Sequence, residues 1–141
     1  MTVKISATEM NAFLDVVFPQ IKGAFFVERL DETGCVMRMP MDESHLRPGG
    51  TISGPTMFTL ADVAAYVTTM GQIGKQALAV TTGCSLDFMR KPEAGRDLIA
   101  HATLLKIGKS LSVTDILLYS DGKQEPVARA TMTYSIPPTR S

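Results

Sequence analysis

The chain has 141 residues, 45% hydrophobic and 20% charged, which fits a single globular domain with a real core and excludes a disordered polar chain. Fourteen basic side chains balance fourteen acidic ones, so no bulk field argues for nucleic acid or an anionic membrane surface, and any bound anion must be held locally. The opening MTVKISATEMNAFLDVV lacks the unbroken apolar run of a signal peptide, and no later run approaches the ~18 residues of a membrane span, so a cytoplasmic protein is expected.

Ser6-Ala7-Thr8-Glu9 has the form of a capping box, and Met10, Phe13, Leu14, Val17 and Phe18 follow at helical spacing until Pro19. This predicts a short amphipathic helix over residues 6–18 that packs on another element. Ala24 to Asp31 and Cys35 to Met41, either side of Glu32-Thr33-Gly34, read as a hairpin. Cys35, Met37, Met39 and Met41 share one face of it. Asp42 to Ile52 reads as a loop, punctuated by Pro48-Gly49-Gly50.

The stretch Ser53 to Met70, SGPTMFTLADVAAYVTTM, predicts a helix. Gly54 suits its flexible start, and Pro55 its first turn, where a missing N–H costs nothing. Apolar residues cover nearly the whole circumference, the pattern of a helix buried on most sides, with Asp62 as its one charge. Two readings of Asp62 stay open. In one, Thr59, Asp62, Tyr66 and Thr69 form a narrow polar strip facing water. In the other the strip lines a cleft, where a carboxylate among apolar walls is poised for base or nucleophile work.

Beyond Gly71 and Gly74, Leu78 to Met89 alternates, with Leu78, Val80, Cys84, Leu86 and Phe88 on one face. Thr82 shares that face, its hydroxyl either satisfied by a backbone carbonyl or available for catalysis. Asp97 to Ile107, Ser110 to Ser120 and Val127 to Ile136 complete the strands, with turns at Gly108-Lys109 and Asp121-Gly122. The tail 137–141 should fray. Cys35 and Cys84 lack CxxC or His spacing, so no metal is expected and both read as buried thiols. His45 and His101 stand without companion ligands or a paired nucleophile and read as surface or capping residues. There is no nucleophile elbow, P-loop or GxGxxG pattern.

Helix, two strands, long helix, four strands, with tight turns between consecutive strands, implies an α+β domain whose antiparallel sheet wraps one central helix. That order resembles the hotdog fold, and the residues resemble the PaaI-like acyl-CoA thioesterases over roughly residues 20 to 136. The family signature is H-G-G at the start of a helix, then L-A-D or L-A-E eight residues after the first Gly. The matching positions here are Ser53-Gly54-Pro55 and Leu60-Ala61-Asp62. Phe88-Met89-Arg90-Lys91-Pro92 and Leu105-Lys106-Ile107-Gly108-Lys109-Ser110 also look like that family.

By that resemblance Asp62 is the catalytic carboxylate, acting as general base on water or as nucleophile on the thioester carbonyl. Gly54 supplies the N–H that polarises the carbonyl, at a helix start where free donors and the positive dipole end lie. Thr82 falls where some members carry a Ser that orients water. The family's loop His is Ser53 here, its Asn is Arg47, and Pro55 removes one N–H. A guanidinium at Arg47 could fix a thioester carbonyl or a phosphate. Arg90, Lys91, Lys106 and Lys109 lie where the family meets the coenzyme A nucleotide, or are solvated turn charges. Met57, Tyr66 or Met70 would meet the acyl end, or simply pack in the core.

Eight residues separate Gly54 from Asp62, about 12 Å along a helix, so one reacting carbonyl cannot touch both in one chain. The expectation is therefore a homodimer with two shared sites, which this family commonly doubles to a tetramer. The reading is an acyl-CoA thioesterase for an aryl or medium-length acyl group. It needs no dissociable cofactor; coenzyme A is part of the substrate. The rivals are a non-catalytic acyl-CoA-binding protein, favoured by Ser53, Pro55 and Arg47, and a hotdog dehydratase or hydratase, which would usually call for a His beside the acid.

Overall fold

The computed structural model describes residues 3–19, 23–41, 46–47, 51–74 and 78–138, with the side chains of 46, 47 and 51 outside that description. In chain order the elements are α1 (Ala7–Val17), β1 (Phe26–Asp31), β2 (Gly34–Met39), β3 (Leu46–Arg47), β4 (Thr51–Ile52), α2 (Gly54–Ile73), β5 (Val80–Phe88), β6 (Leu98–Ile107), β7 (Leu111–Ser120) and β8 (Ala128–Ser135). Where a loop is expected across 42–52, Leu46–Arg47 and Thr51–Ile52 pair as a two-stranded ladder. His45 lies outside the described residues.

α1 starts on the predicted capping box. The Ser6 hydroxyl accepts from the Glu9 N–H at 3.1 Å, and the Glu9 carboxylate accepts from the Ser6 N–H at 3.4 Å. Asn11 then ties the helix to β1, donating to the Val27 carbonyl at 3.1 Å and accepting from its N–H at 2.8 Å. Those bonds fall where the β1–β2 register shifts between Val27 and Arg29. β1 is an edge strand, and the Asn11 amide occupies backbone groups that an open edge would leave unpaired.

The main sheet runs β1-β2-β6-β7-β8-β5, every neighbouring pair antiparallel. Period-two alternation turns Leu98, Ala100 and Ala102 of β6, Ile116 and Leu118 of β7, and Ala128, Ala130 and Met132 of β8 toward α2, all buried. The alanines among them let the helix lie close. Against β1, a Cβ on Gly71 would sit 2.8 Å from Leu30 Cδ1. Gly34, at φ 150°, begins β2 where a Cβ would fall 1.9 Å from the Ala102 carbonyl oxygen, so no other residue fits.

α2 is buried on most sides, from Met57 and Leu60 through Met70. Of the four residues in the supposed water-facing strip, Tyr66 is 3% and Thr69 0% exposed. The Thr69 hydroxyl is spent inward on Ser112 Oγ at 2.9 Å. Thr59 is exposed and Asp62 half-buried, so the four do not form one water-facing strip. This is the hotdog arrangement expected of the chain, a curved antiparallel sheet around one long helix.

β5, the other edge strand, departs from its sequence reading. Its apolar row does not disappear into the core: Leu78 is 79%, Val80 56% and Phe88 54% exposed, and only Leu86 packs against the core cluster. The β5–β8 register also slips between Thr81 and Gly83. The extra residue, Thr82, reverses the alternation on either side of it.

Candidate active site

Two clefts open along α2. At its start Ser53 is the N-cap, its hydroxyl accepting from the Thr56 N–H at 3.2 Å and lying 2.8 Å from the Thr56 hydroxyl. The Met57 N–H returns to the Ser53 carbonyl at 3.2 Å, and Pro55 has none. Among the described residues the Gly54 N–H is left as the unpartnered donor of the first turn, at the positive end of a 20-residue helix. It faces a cleft of about 530 Å³ lined by Met57, Phe88, Met89, Arg90 and Lys91 among others. The Arg90 guanidinium donates to the Pro126 carbonyl at 2.9 Å and pairs with Glu125 at 3.2 Å. Lys91 is exposed and has no ion-pair partner among the described residues.

The second cleft, about 360 Å³, lies further along the helix between Phe18, Asp62, Tyr66, Val80, Thr81 and Tyr134. Asp62 is half-buried. The Thr81 hydroxyl donates to its Oδ1 at 2.6 Å, and the Tyr134 hydroxyl, 2.9 Å from the same Oδ1, also lies 3.1 Å from the Asp62 carbonyl oxygen. No hydrogen bond from the described residues reaches Oδ2. Burial pushes the Tyr134 phenol far above its ordinary range; the Thr81 hydroxyl opposes that and the Asp62 carboxylate adds to it. Tyr134 is therefore a donor at any working pH. Its ring tilts against Tyr66 at 5.9 Å, and Tyr66 meets Phe18 edge-on at 5.4 Å. Cys84, expected to be a buried thiol, is exposed at the β5 edge; partial desolvation and then the nearby Asp62 charge still raise its thiol, keeping it protonated.

The predicted residues thus separate into groups. Gly54, Ser53, Arg90 and Lys91 gather at the start of α2, and Asp62 and Tyr66 eight or more residues on. Thr82 stays apart, its exposed hydroxyl 3.4 Å from the Thr133 carbonyl. Lys106 and Lys109 are exposed at the β6–β7 turn. The register Ile107↔Ser112, Leu111↔Ser135 and Val80↔Ser135 puts that turn at the β5 end opposite Arg90 and Lys91. Arg47 is in β3 opposite Thr51, its side chain outside the described residues. Met57 lines the first cleft, whereas Met70 is wholly core.

Sequence reasoning missed Thr81, Tyr134 and Phe18. The one signal for Thr81 is Gly83, since an isolated glycine in a strand often marks a bulge. Tyr134 stands opposite Thr81 across the β5–β8 ladder, a long-range pairing with no local signature. A further cavity of about 510 Å³ lies on the outer face of the sheet, beside Arg38 and the edge-on pair His101–Tyr119, whose rings are 5.1 Å apart. Among the described residues no group of three or more His, Cys, Asp or Glu is placed to hold a metal ion, and no helix is long and apolar enough to cross a membrane.

Residues 49–127 match the family model described as thioesterase superfamily. The chain is 30% identical over 116 residues to a Pseudomonas aeruginosa protein provisionally named an esterase, a match spanning 82% of this chain and 84% of that one. Among solved structures it superposes on a protein of Silicibacter sp. TM1040, provisionally named a thioesterase, with TM-score 0.91 and 55% identity over 96% of this chain and 94% of that one. A mutant form of the phenylacetic acid degradation protein PaaI of Thermus thermophilus is similar with TM-score 0.73 and 25% identity, over 84% of this chain and 99% of that one.

Proposed function

The chain belongs to the thioesterase superfamily, and on that premise we propose that it hydrolyses the thioester of an acyl-coenzyme A carrying an aryl or medium-length acyl group. The observation that carries this reading is Asp62, the one carboxylate on an otherwise apolar helix, half-buried in an aromatic cleft with an oxygen to spare. Asp62 takes a proton from water while the water oxygen bonds to the carbonyl carbon. The Gly54 N–H holds the oxygen that becomes negative, and the C–S bond then breaks as the proton passes to the departing sulfur. Direct attack by the carboxylate, followed by hydrolysis of the anhydride, uses the same two groups.

The reading needs two subunits. Gly54 and Asp62 of one protomer open onto different clefts, so a neighbour's helix start must face this chain's Asp62. The exposed apolar row and open backbone edge of β5, beside Asp62, are suited to pairing with a second copy. Arg90 and Lys91 beside Gly54 would then receive the coenzyme A phosphates, and Phe18, Tyr66 and Val80 the acyl group. Ser53 serves that site as the cap that orders the helix start.

A panel of aryl and alkyl acyl-CoA thioesters, followed by free thiol release with wild type and Asp62→Asn, tests the reading. Turnover that Asp62→Asn abolishes supports it. Tight binding without thiol release would replace it with an acyl-CoA-binding role, the reading favoured by Pro55, which leaves a single free N–H at the helix start. Light scattering that finds a fully active monomer would overturn the shared site.

A further inference from the structure

We propose that Tyr134 and Thr81 form a two-hydroxyl clamp on Asp62 that makes Oδ1 a held atom and leaves Oδ2 as the one that reacts, with Tyr134 the principal positioning residue. The inference rests on the thioesterase reading above and deepens it. Both hydroxyls converge on Oδ1, at 2.6 Å from Thr81 and 2.9 Å from Tyr134, while Oδ2 has no partner among the described residues. Two donors on one oxygen fix the carboxylate plane and draw charge toward Oδ1. The lone pairs of Oδ2 stay unencumbered and face a cleft large enough for a water molecule and an acyl group.

Tyr134 is suited to hold rather than to react. It is 4% exposed, and its ring is packed against Tyr66, which Phe18 supports in turn. Its phenol stays protonated because burial and the neighbouring carboxylate disfavour the phenolate. The Asp62 carbonyl oxygen lies 3.1 Å from the same hydroxyl, so its one proton is shared between the helix backbone and, at the shorter distance, the side chain. The match to the family model ends at residue 127, so Tyr134 is supplied by chain beyond the matched segment. Across the ladder it faces Thr81 directly, and the slip at Thr82 is what turns Thr81, rather than its neighbour, toward Asp62. In the general-base step the proton of the attacking water passes to Oδ2, and Oδ1 keeps both hydroxyl bonds throughout.

The test is Tyr134→Phe, which keeps the ring and its packing and removes only the hydroxyl. Expected is a fall in kcat of roughly tenfold to a hundredfold with KM within about twofold, the split of a group that acts through the orientation of Asp62. Thr81→Val should fall in the same way and Thr81→Ser should recover most of the loss, which keeps the clamp testable if Tyr134→Phe does not fold. Wild-type kcat in both Tyr134→Phe and Thr81→Val, beside an inactive Asp62→Asn, would overturn the clamp and leave the thioesterase reading standing. A wild type with no thioester turnover would overturn that reading and the clamp with it.

Discussion

The ring of Phe88 stands 3.1 Å from where a Cβ on Gly54 would lie. The glycine thus sets how closely the β5 edge approaches the start of α2, at the point where the free N–H faces its cleft. Gly54→Ala should displace the ring or the first turn by a few tenths of an ångström and lower kcat/KM roughly tenfold, because donor placement governs transition-state stabilisation. Phe88→Leu in the same chain should restore part of the loss. Steady-state kinetics of the single and double variants measure this.

Gly71 offers the contrast, because its missing Cβ leaves room for Leu30 far from either cleft. Gly71→Ala should cost about 1–3 kcal/mol of stability through overpacking, with kcat/KM at 25 °C unchanged. Denaturant titration beside a turnover assay separates the two effects.

Subunit sharing predicts complementation. Gly54→Pro removes the N–H and Asp62→Asn removes the base, so each alone should be inactive. Refolded together in equal amounts they should regain about a quarter of wild-type activity, because half the dimers are mixed and each of those holds one intact site. A mixture that stays inactive would mean that both groups are used within one chain.

Ser53 caps α2 through Thr56, and its loss should be felt in stability. Ser53→Ala should cost about 1 kcal/mol, and Ser53→Asp, which can still cap, should cost less. If the hydroxyl acts only as a cap, both variants keep wild-type KM for the acyl-CoA. A KM change shared by both would show that Ser53 also touches substrate.

Arg38 joins four strand ends, bonding Glu28 at 2.8 Å, Asp97 at 3.0 Å and Asp121 at 2.9 Å. Its hydrogen bond is the main cause holding the Asp121 carboxyl below the ordinary carboxylate value of 3.8. A carboxyl with a depressed folded value stabilises the fold above its unfolded pKa, and that contribution disappears as pH falls through the folded one. Thermal midpoints should therefore drop below about pH 4, and Arg38→Met should flatten that dependence while lowering stability at neutral pH.

The capping box at Ser6, the breakers at Pro19, Gly34 and Gly74, and the nearly all-apolar circumference from Met57 to Met70 are local signals. They fix α1, the hairpin, the central helix and the alternation of β6 to β8 without any knowledge of packing. With them came the α+β class and Asp62 as the residue to explain. The resemblance added Gly54.

What the sequence could not carry is whatever depends on elements meeting. One extra residue at Thr82 shifted the alternation and brought the Thr81 hydroxyl, rather than that of Thr82, to Asp62. The hydroxyl of Tyr134 reached Asp62 across 72 positions of chain. The apolar row of β5, which alternation alone assigns to a core, was left largely exposed at a sheet edge, with Leu86 packed against the core and Phe88 over the start of α2. Periodicity reports which side of an element is apolar, because that is a property of neighbouring residues. Which side faces the helix, a cleft or a second subunit is decided by register and strand order, and these are set by contacts between residues far apart in the chain.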